Sequence, residues 1–295
     1  ATPTATATAT PTATPAPTAS PTPTATPTAT PNGITQPVNL STRMRVQVGD
    51  NVGIGGFIIT GSTPKHVLLR AIGPSLTRFN ITDVLVDPVL ELHGTGSFTT
   101  VINDNWRDTQ ETAITATGLA PTEEAESAID ATLPPGSYTA VVRGKNNTSG
   151  VALIELYDLD QPSGKLSNLS TRAFVSTGDN IVIAGVILSD GNLDDRIVLR
   201  GIGPSLAPGT FPTNVVLADP TLELRDENGT LIMADNDWQD DPAQAAELTL
   251  SGLAPTNDRE AAIAVTLPPG FYTVLMAGLN NGTGIGLVEI YDRGP

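Results

Sequence analysis

Short runs of alternating apolar and polar residues follow one another from about residue 37 to the end of the chain. Residues 221–225 and 263–267 alternate, which predicts strands with one buried face and one wet face. Residues 180–189 and 196–202 are rich in β-branched side chains and are bounded by Gly, Asp and Asn, which also predicts strands. A turn signal at 226–229 separates two such runs. The pattern predicts about eight strands in roughly 125 residues, which is typical of a β-sandwich.

The predicted strands occur twice, because the chain contains an internal duplication. The segment NLSTR at 39–43 returns at 168–172, RAIGPSL at 70–76 returns as RGIGPSL at 200–206, and LPPG at 133–136 returns at 267–270. We therefore expect an all-β protein with two tandem, jelly-roll-like β-sandwich domains at 37–160 and 168–295. A linker at 161–167 joins them, and an extended Pro/Thr-rich tail at 1–36 precedes them.

One short helix is predicted in each repeat. In the second repeat Asp241 can cap its N-terminus, Pro242 suits its first position, and Gln244 follows three residues after the cap. In the first repeat Asp108 and Glu111 are expected to play the same parts.

The tail has a stricter pattern than its composition requires. Residues 1–31 contain only Ala, Thr, Pro and one Ser, and from position 2 to 30 every even position is Thr except Ala16 and Ser20. Every proline in this stretch is at an odd position. In an extended strand all threonines would share one face, and the edge without proline would be free to pair. In a polyproline II helix the threonines would instead spiral around the axis.

The composition of the tail fits either a solvated linker or an O-glycosylated stalk. The candidate O-linked sites are Thr2, Thr4, Thr6, Thr8, Thr10, Thr12, Thr14, Thr18, Ser20, Thr22, Thr24, Thr26, Thr28 and Thr30. Glycans on the tail are therefore among the expected partners.

Charge and composition narrow the class of protein further. The formal net charge of −16 opposes a general attraction to nucleic acid or anionic lipid. The sequence contains no run of about 18 apolar residues, so no membrane-spanning segment is predicted. The chain has no cysteine, so it cannot be stabilised by disulfides in an oxidising environment. The first residue is Ala1 rather than Met, as expected if an export signal has been removed, and we expect an extracellular or cell-surface location.

The back half of each repeat resembles the bacterial pre-peptidase C-terminal domain. In the second repeat the resemblance rests on LELRDENG at 222–229, DND at 235–237, LPPGFYT at 267–273 and GLVEIY at 286–291. Members of that family are β-sandwich accessory modules on secreted proteins. The resemblance covers about half of each repeat and implies a fold and export, not a reaction.

Candidate catalytic residues are few. His66 and His93 are the only histidines, and a Ser-His-Asp arrangement would need Ser75 or Ser205 beside one of them. The Gly-Pro-Ser-Leu segments containing these serines are better interpreted as turns after strands. We expect a protein that is not an enzyme and that needs no organic cofactor.

Two further groups of residues have alternative interpretations. Arg70 and Arg200 end equivalent apolar strands, and either bind an anion or partner, or pair with a carboxylate such as Asp87 or Asp219.

Asp235, Asp237 and Asp240 place carboxylates close together in the second repeat. Such oxygen ligands suit Ca²⁺, although the spacing is not that of an EF-hand loop. The alternative is a polar turn that leads into the helix.

The sequence predicts a structural subunit of an extracellular filament or surface assembly, with the chain itself as its main partner. In this hypothesis the tail mediates contact between subunits, carries O-glycans, or does both. Two alternatives remain open: a stalked carbohydrate- or surface-binding adhesion module, and an accessory region of a secreted enzyme.

Overall fold

Sixteen strands form within the residues that the structure describes, which confirms the predicted all-β class. The computed structural model describes residues 35–160, 165–189, 191, 193–207 and 210–294. The strands of the first repeat are β1 (Pro37–Val46), β2 (Gly53–Thr60), β3 (Lys65–Ile72), β4 (Pro88–Gly94), β5 (Val101–Asn103), β6 (Ser127–Leu133), β7 (Gly136–Gly144) and β8 (Gly150–Asp158). Those of the second are β9 (Lys165–Val175), β10 (Val182–Leu188), β11 (Asp195–Ile202), β12 (Pro220–Arg225), β13 (Leu231–Asp235), β14 (Ala261–Leu267), β15 (Gly270–Gly278) and β16 (Gly284–Asp292). The α-helices are α1 (Glu111–Ala116) and α2 (Pro242–Leu250).

Each repeat contributes two four-stranded antiparallel sheets. In the first repeat their orders are β6-β3-β8-β1 and β2-β7-β4-β5. In the second they are β14-β11-β16-β9 and β10-β15-β12-β13. The two repeats therefore have the same topology, as the duplication requires.

The sheets of the two repeats join through reciprocal strand pairs. Strand β1 pairs with β10, and its counterpart β9 pairs with β2, so each four-stranded sheet continues into a sheet of the other repeat. The equivalent residues Thr42 and Thr171 meet at the centre of this junction, where their buried hydroxyl oxygens are 2.8 Å apart. A Cβ on Gly185 would lie 2.7 Å from the Ser41 hydroxyl oxygen on the paired strand, so a larger residue there would require the serine side chain to move. The repeats are thus arranged around an approximate two-fold axis.

One hydrophobic core runs through both repeats. Leu40 and Phe57 of the first repeat belong to the same buried cluster as Leu169 and Ile290 of the second. Residues 165–167, which the sequence placed in a linker at 161–167, are part of β9 and its ladder with β2. The physical reason is that β1, β2, β9 and β10 bury apolar side chains in a cluster that residues of both repeats build together. The described residues accordingly form one compact unit.

A helix covers part of the outer surface in each repeat. Ile114 of α1 packs with Leu68 and Trp106, and Leu248 of α2 packs with Val198. None of the helices among the described residues is long and apolar enough to cross a membrane.

The predicted cap of the second helix is confirmed and that of the first is wrong. The Asp241 carboxylate accepts hydrogen bonds from the backbone N–H groups of Ala243 and Gln244. Helix α1 begins after Gln110 instead of Asp108, and no side chain caps it. The first repeat is two residues shorter here, which moves Gln110 to the position that precedes the helix.

Candidate functional site

Two equivalent arginines, Arg70 and Arg200, each form a largely buried polar cluster. Arg70 donates from Nε and Nη2 to Glu155 Oε2, at 2.8 and 2.5 Å, and from Nη1 to the Leu119 carbonyl at 2.6 Å. Arg200 makes the same two-pronged contact with Glu289, at 2.7 and 2.5 Å. Because each guanidinium is largely buried and already holds a carboxylate, the clusters are structural ion pairs.

The expected partners of these arginines, Asp87 and Asp219, were wrong. Arg70 stands directly opposite Glu155 on the neighbouring strand β8, which places this carboxylate within reach of the guanidinium. Asp87 instead lies 3.5 Å from Lys145. Burial, and then the nearby Glu289 carboxylate, raise the pKa of Tyr291 to about 12.

A buried glutamate organises the turn that contains each candidate serine. Glu126 Oε1 accepts hydrogen bonds from the backbone N–H groups of Gly73 and Ser75, at 3.2 and 2.9 Å, and from the Ser75 hydroxyl at 2.6 Å. Glu260 holds the equivalent turn of the second repeat through the same three groups. A Cβ at Gly73 would lie 2.0 Å from the Leu85 carbonyl oxygen, which explains the glycine in this motif. The serine hydroxyl is therefore a donor that fixes a turn.

The structure does not bring these serines to a histidine. His66 Nε2 is 2.9 Å from Asp130, and His93 Nε2 is 3.0 Å from Glu91. Both histidines are more than one-third exposed on strand surfaces. No Ser-His-Asp arrangement is present among the hydrogen bonds of the described residues.

The candidate Ca²⁺ ligands do not converge on one point, because Asp235 and Asp237 each hold a different hydrogen-bond donor. Asp235 accepts a hydrogen bond from the Ala262 backbone N–H at 2.8 Å, and burial raises the pKa of its carboxyl. Asp237 accepts from the side-chain amide of Asn236. Within the described ranges, no group of three or more His, Cys, Asp or Glu side chains is arranged to hold a metal ion. Asp235 and Asp240 instead border an open, acidic cleft of about 720 Å³.

Side chains cover the outer edges of two sheets. On β6, Asn103 accepts from the Ala128 N–H at 2.9 Å, and Gln110 both accepts from and donates to the backbone of Asp130, at 3.1 and 2.7 Å. On β14, Asp235 and Gln244 accept from the N–H groups of Ala262 and Ala264. These side chains occupy hydrogen-bonding groups that another strand would need.

The other four-stranded sheet of each repeat ends in a strand, β5 or β13, that has no such cover among the described residues. Strand β5 pairs with β4 and β13 pairs with β12, and neither has a second partner among the described strands. Both carry exposed apolar side chains: Val101 and Ile102 are 37% and 54% exposed, and Leu231 and Ile232 are 48% and 40% exposed. Apolar edge strands of this kind are ready to accept another strand. They are the feature of the body that most clearly points to a function.

The sequence did not predict that β6 and β14 are covered while β5 and β13 are open. The feature that could have indicated it is the pair Gln110 and Gln244, which recur at the start of the short helix in each repeat. The candidate O-glycosylation sites, Thr2 to Thr30, lie outside the described residues.

The comparisons with known proteins identify no family. No family model and no curated protein matches the chain, so the resemblance to the pre-peptidase C-terminal domain stays a prediction. Among solved structures, PNGF-II is similar at 11% identity and a TM-score of 0.21, over 89% of this chain and 58% of its own. A DUF4785 family protein from Legionella pneumophila is similar at 9% identity and a TM-score of 0.23, over 90% and 81%.

Proposed function

We propose that this protein is the structural subunit of an extracellular filament or surface assembly. The observation that carries the proposal is the pair of uncovered apolar strand edges, β5 and β13, on a body whose edges β6 and β14 are covered by side chains. Strand edges recruit further strands through main-chain hydrogen bonds, which is a common way to join protein subunits.

The junction between the repeats supports the proposal, because it makes the body suitable for transmitting load. The ladders β1–β10 and β9–β2 tie the repeats together twice. Arg43 donates to the Asp179 carbonyl of the other repeat, and Arg172 donates to that of Asp50. A flexible joint between two independent domains would lack these reciprocal contacts.

The tail adds a second means of contact or protection. If extended, about 30 residues reach roughly 100 Å, far enough to contact a neighbouring subunit. Thr2 and the other threonines at even positions supply hydroxyl groups for O-glycans, which would form a hydrophilic coat.

Electron microscopy of the native full-length protein, with intact-mass analysis of the same sample, tests the proposal. We expect ordered filaments or sheets and a subunit mass well above the 30.5 kDa of the chain, the excess being removed by chemical release of O-glycans. Discrete particles at the bare chain mass would contradict both the assembly and the glycosylation.

A further inference from the structure

We propose that molecules of this protein join end to end, with strand β13 of one pairing with strand β5 of the next. This inference deepens the proposed function and rests on it, because it names the surfaces through which the subunits assemble. The occupant of each open edge is therefore the opposite end of a second copy of the chain.

The topology supports this pairing by placing the two open edges at opposite ends of the molecule. Strand β13 ends the continuous order β6-β3-β8-β1-β10-β15-β12-β13. Strand β5 ends the equivalent order β14-β11-β16-β9-β2-β7-β4-β5. A β13–β5 contact would extend a sheet of one molecule into a sheet of the next, as β1–β10 and β9–β2 do within the chain.

The two ends differ in charge although they arose by duplication. Near β5 the first repeat has cations where the second has neutral residues: Arg107 against Gln239, Arg143 against Ala277, and Lys145 against Leu279. Near β13 the second repeat has Asp235 and Asp237 where the first has Asn103 and Asn105, and the reverse exchange of Asp104 for Asn236 leaves it one carboxylate richer. The turn before β13 adds Asp226 and Glu227 where the first repeat has Gly94 and Thr95, which outweighs Arg225 in place of His93. The β13 end is therefore the more acidic and the β5 end the more basic.

The cations near β5 remain accessible to a partner. The side chains of Arg107, Arg143 and Lys145 are 47%, 46% and 39% exposed, although each also contacts a carboxylate of its own repeat. Asp235 and Asp237 form no ion pair among the described residues. Opposite charges favour a contact between β13 of one molecule and β5 of the next. A contact between two β13 ends would bring carboxylates together and is disfavoured.

Unlike ends determine the form of the assembly. A contact between two different surfaces is heterologous, and it generates an open chain unless the rotation between molecules closes a ring. The three residues of β5 limit the ladder to a few hydrogen bonds, so exposed apolar and charged side chains must contribute too. Assembly should therefore weaken as salt is raised.

Edge-blocking variants of the full-length chain test this pairing. A lysine on an edge strand opposes the addition of another strand. Ile102→Lys blocks β5 and Ile232→Lys blocks β13, while Phe79→Lys adds the same charge at a 74% exposed position away from both edges. Microscopy and sedimentation should show filaments for the wild type and for Phe79→Lys only. An equimolar mixture of the two blocked variants should give dimers, because each supplies one intact end.

Three results would overturn the inference. Normal filaments in both blocked variants would place the contact elsewhere, for example on the tail, and would leave the proposed function intact. Dimers of Ile102→Lys alone would show β13 pairing with itself. A wild-type protein that forms no filament at all would overturn the proposed function as well. Circular dichroism and thermal unfolding serve as the check on folding, and we expect both variants to remain folded because both positions are exposed.

Discussion

The buried carboxylate of Asp195 should make the protein less stable as the pH rises, and replacing it with asparagine should remove that effect. Asp195 is fully buried, and neither of its carboxylate oxygens has a hydrogen-bond partner within the described part of the chain. Asp292, on the paired strand β16, is also buried and binds Lys165 Nζ at 2.6 Å. Lys165 thus neutralises one of two neighbouring carboxylates.

The magnitude follows from the folded and unfolded pKa values. Burial, and then the charge of Asp292, raise the pKa of Asp195 to about 7, against the opposing effect of Lys165. In the unfolded chain an aspartate titrates near pH 3.9. The folded state therefore binds the proton more tightly, and this contribution to stability is complete below about pH 4 and is lost as the pH rises through 7. The upper limit of the loss is about 4 kcal/mol.

Urea unfolding at pH 5 and pH 8 measures this effect, with Asp194→Asn as the matched control. Asp194 is the preceding residue and is exposed, so its substitution makes the same change in net charge without removing a buried carboxylate. We expect Asp195→Asn to be up to ~4 kcal/mol more stable than the control at pH 8. In thermal unfolding this difference corresponds to a Tm higher by about 10 °C. At pH 5 the difference should fall to about 1.5 kcal/mol, because the unfolded aspartate is already mostly ionised there.

A fall in stability that is equal in both variants would refute this reasoning. It would assign the pH dependence to the general repulsion of a chain with a net charge of −16, instead of to Asp195. An Asp195→Asn variant that is less stable than the control at pH 8 would show that the ionised carboxylate is stabilised in the fold.

Three further substitutions test the structural roles described above by urea unfolding. Thr42→Val should cost about 1–3 kcal/mol, because it leaves the buried Thr171 hydroxyl without a partner, and the double valine variant should cost less than the sum of the single variants. Glu126→Gln should cost about 1–3 kcal/mol by weakening the turn it holds, whereas the exposed Glu124→Gln should cost almost nothing. Lys65→Met should cost about 3–5 kcal/mol, since it leaves buried Asp158 without its cation; an unchanged unfolding midpoint would contradict that role.

The sequence was sufficient for features that depend on neighbouring residues. Strand periodicity predicted β12 and β14, and β12 does bury every second residue. The wet face expected for β14 was wrong, because Ala262 and Ala264 on its second face are buried in the cluster that includes Leu248 of α2. Asp241 and Pro242 predicted the start of α2, because a helix cap involves only residues a few positions apart. The duplication likewise predicted that both repeats have one topology.

Contacts between distant residues were decided only by the tertiary structure. The sequence could not show that β1 pairs with β10, since the same exposed edge could have closed within its own repeat. Nor could it show that Lys165 approaches Asp292 where Lys65 pairs with Asp158 in the first repeat. The division of strand edges into covered and open ones depends on where a few side chains lie after folding. A local pattern specifies which face of a strand is buried, but only the packed chain specifies what covers it.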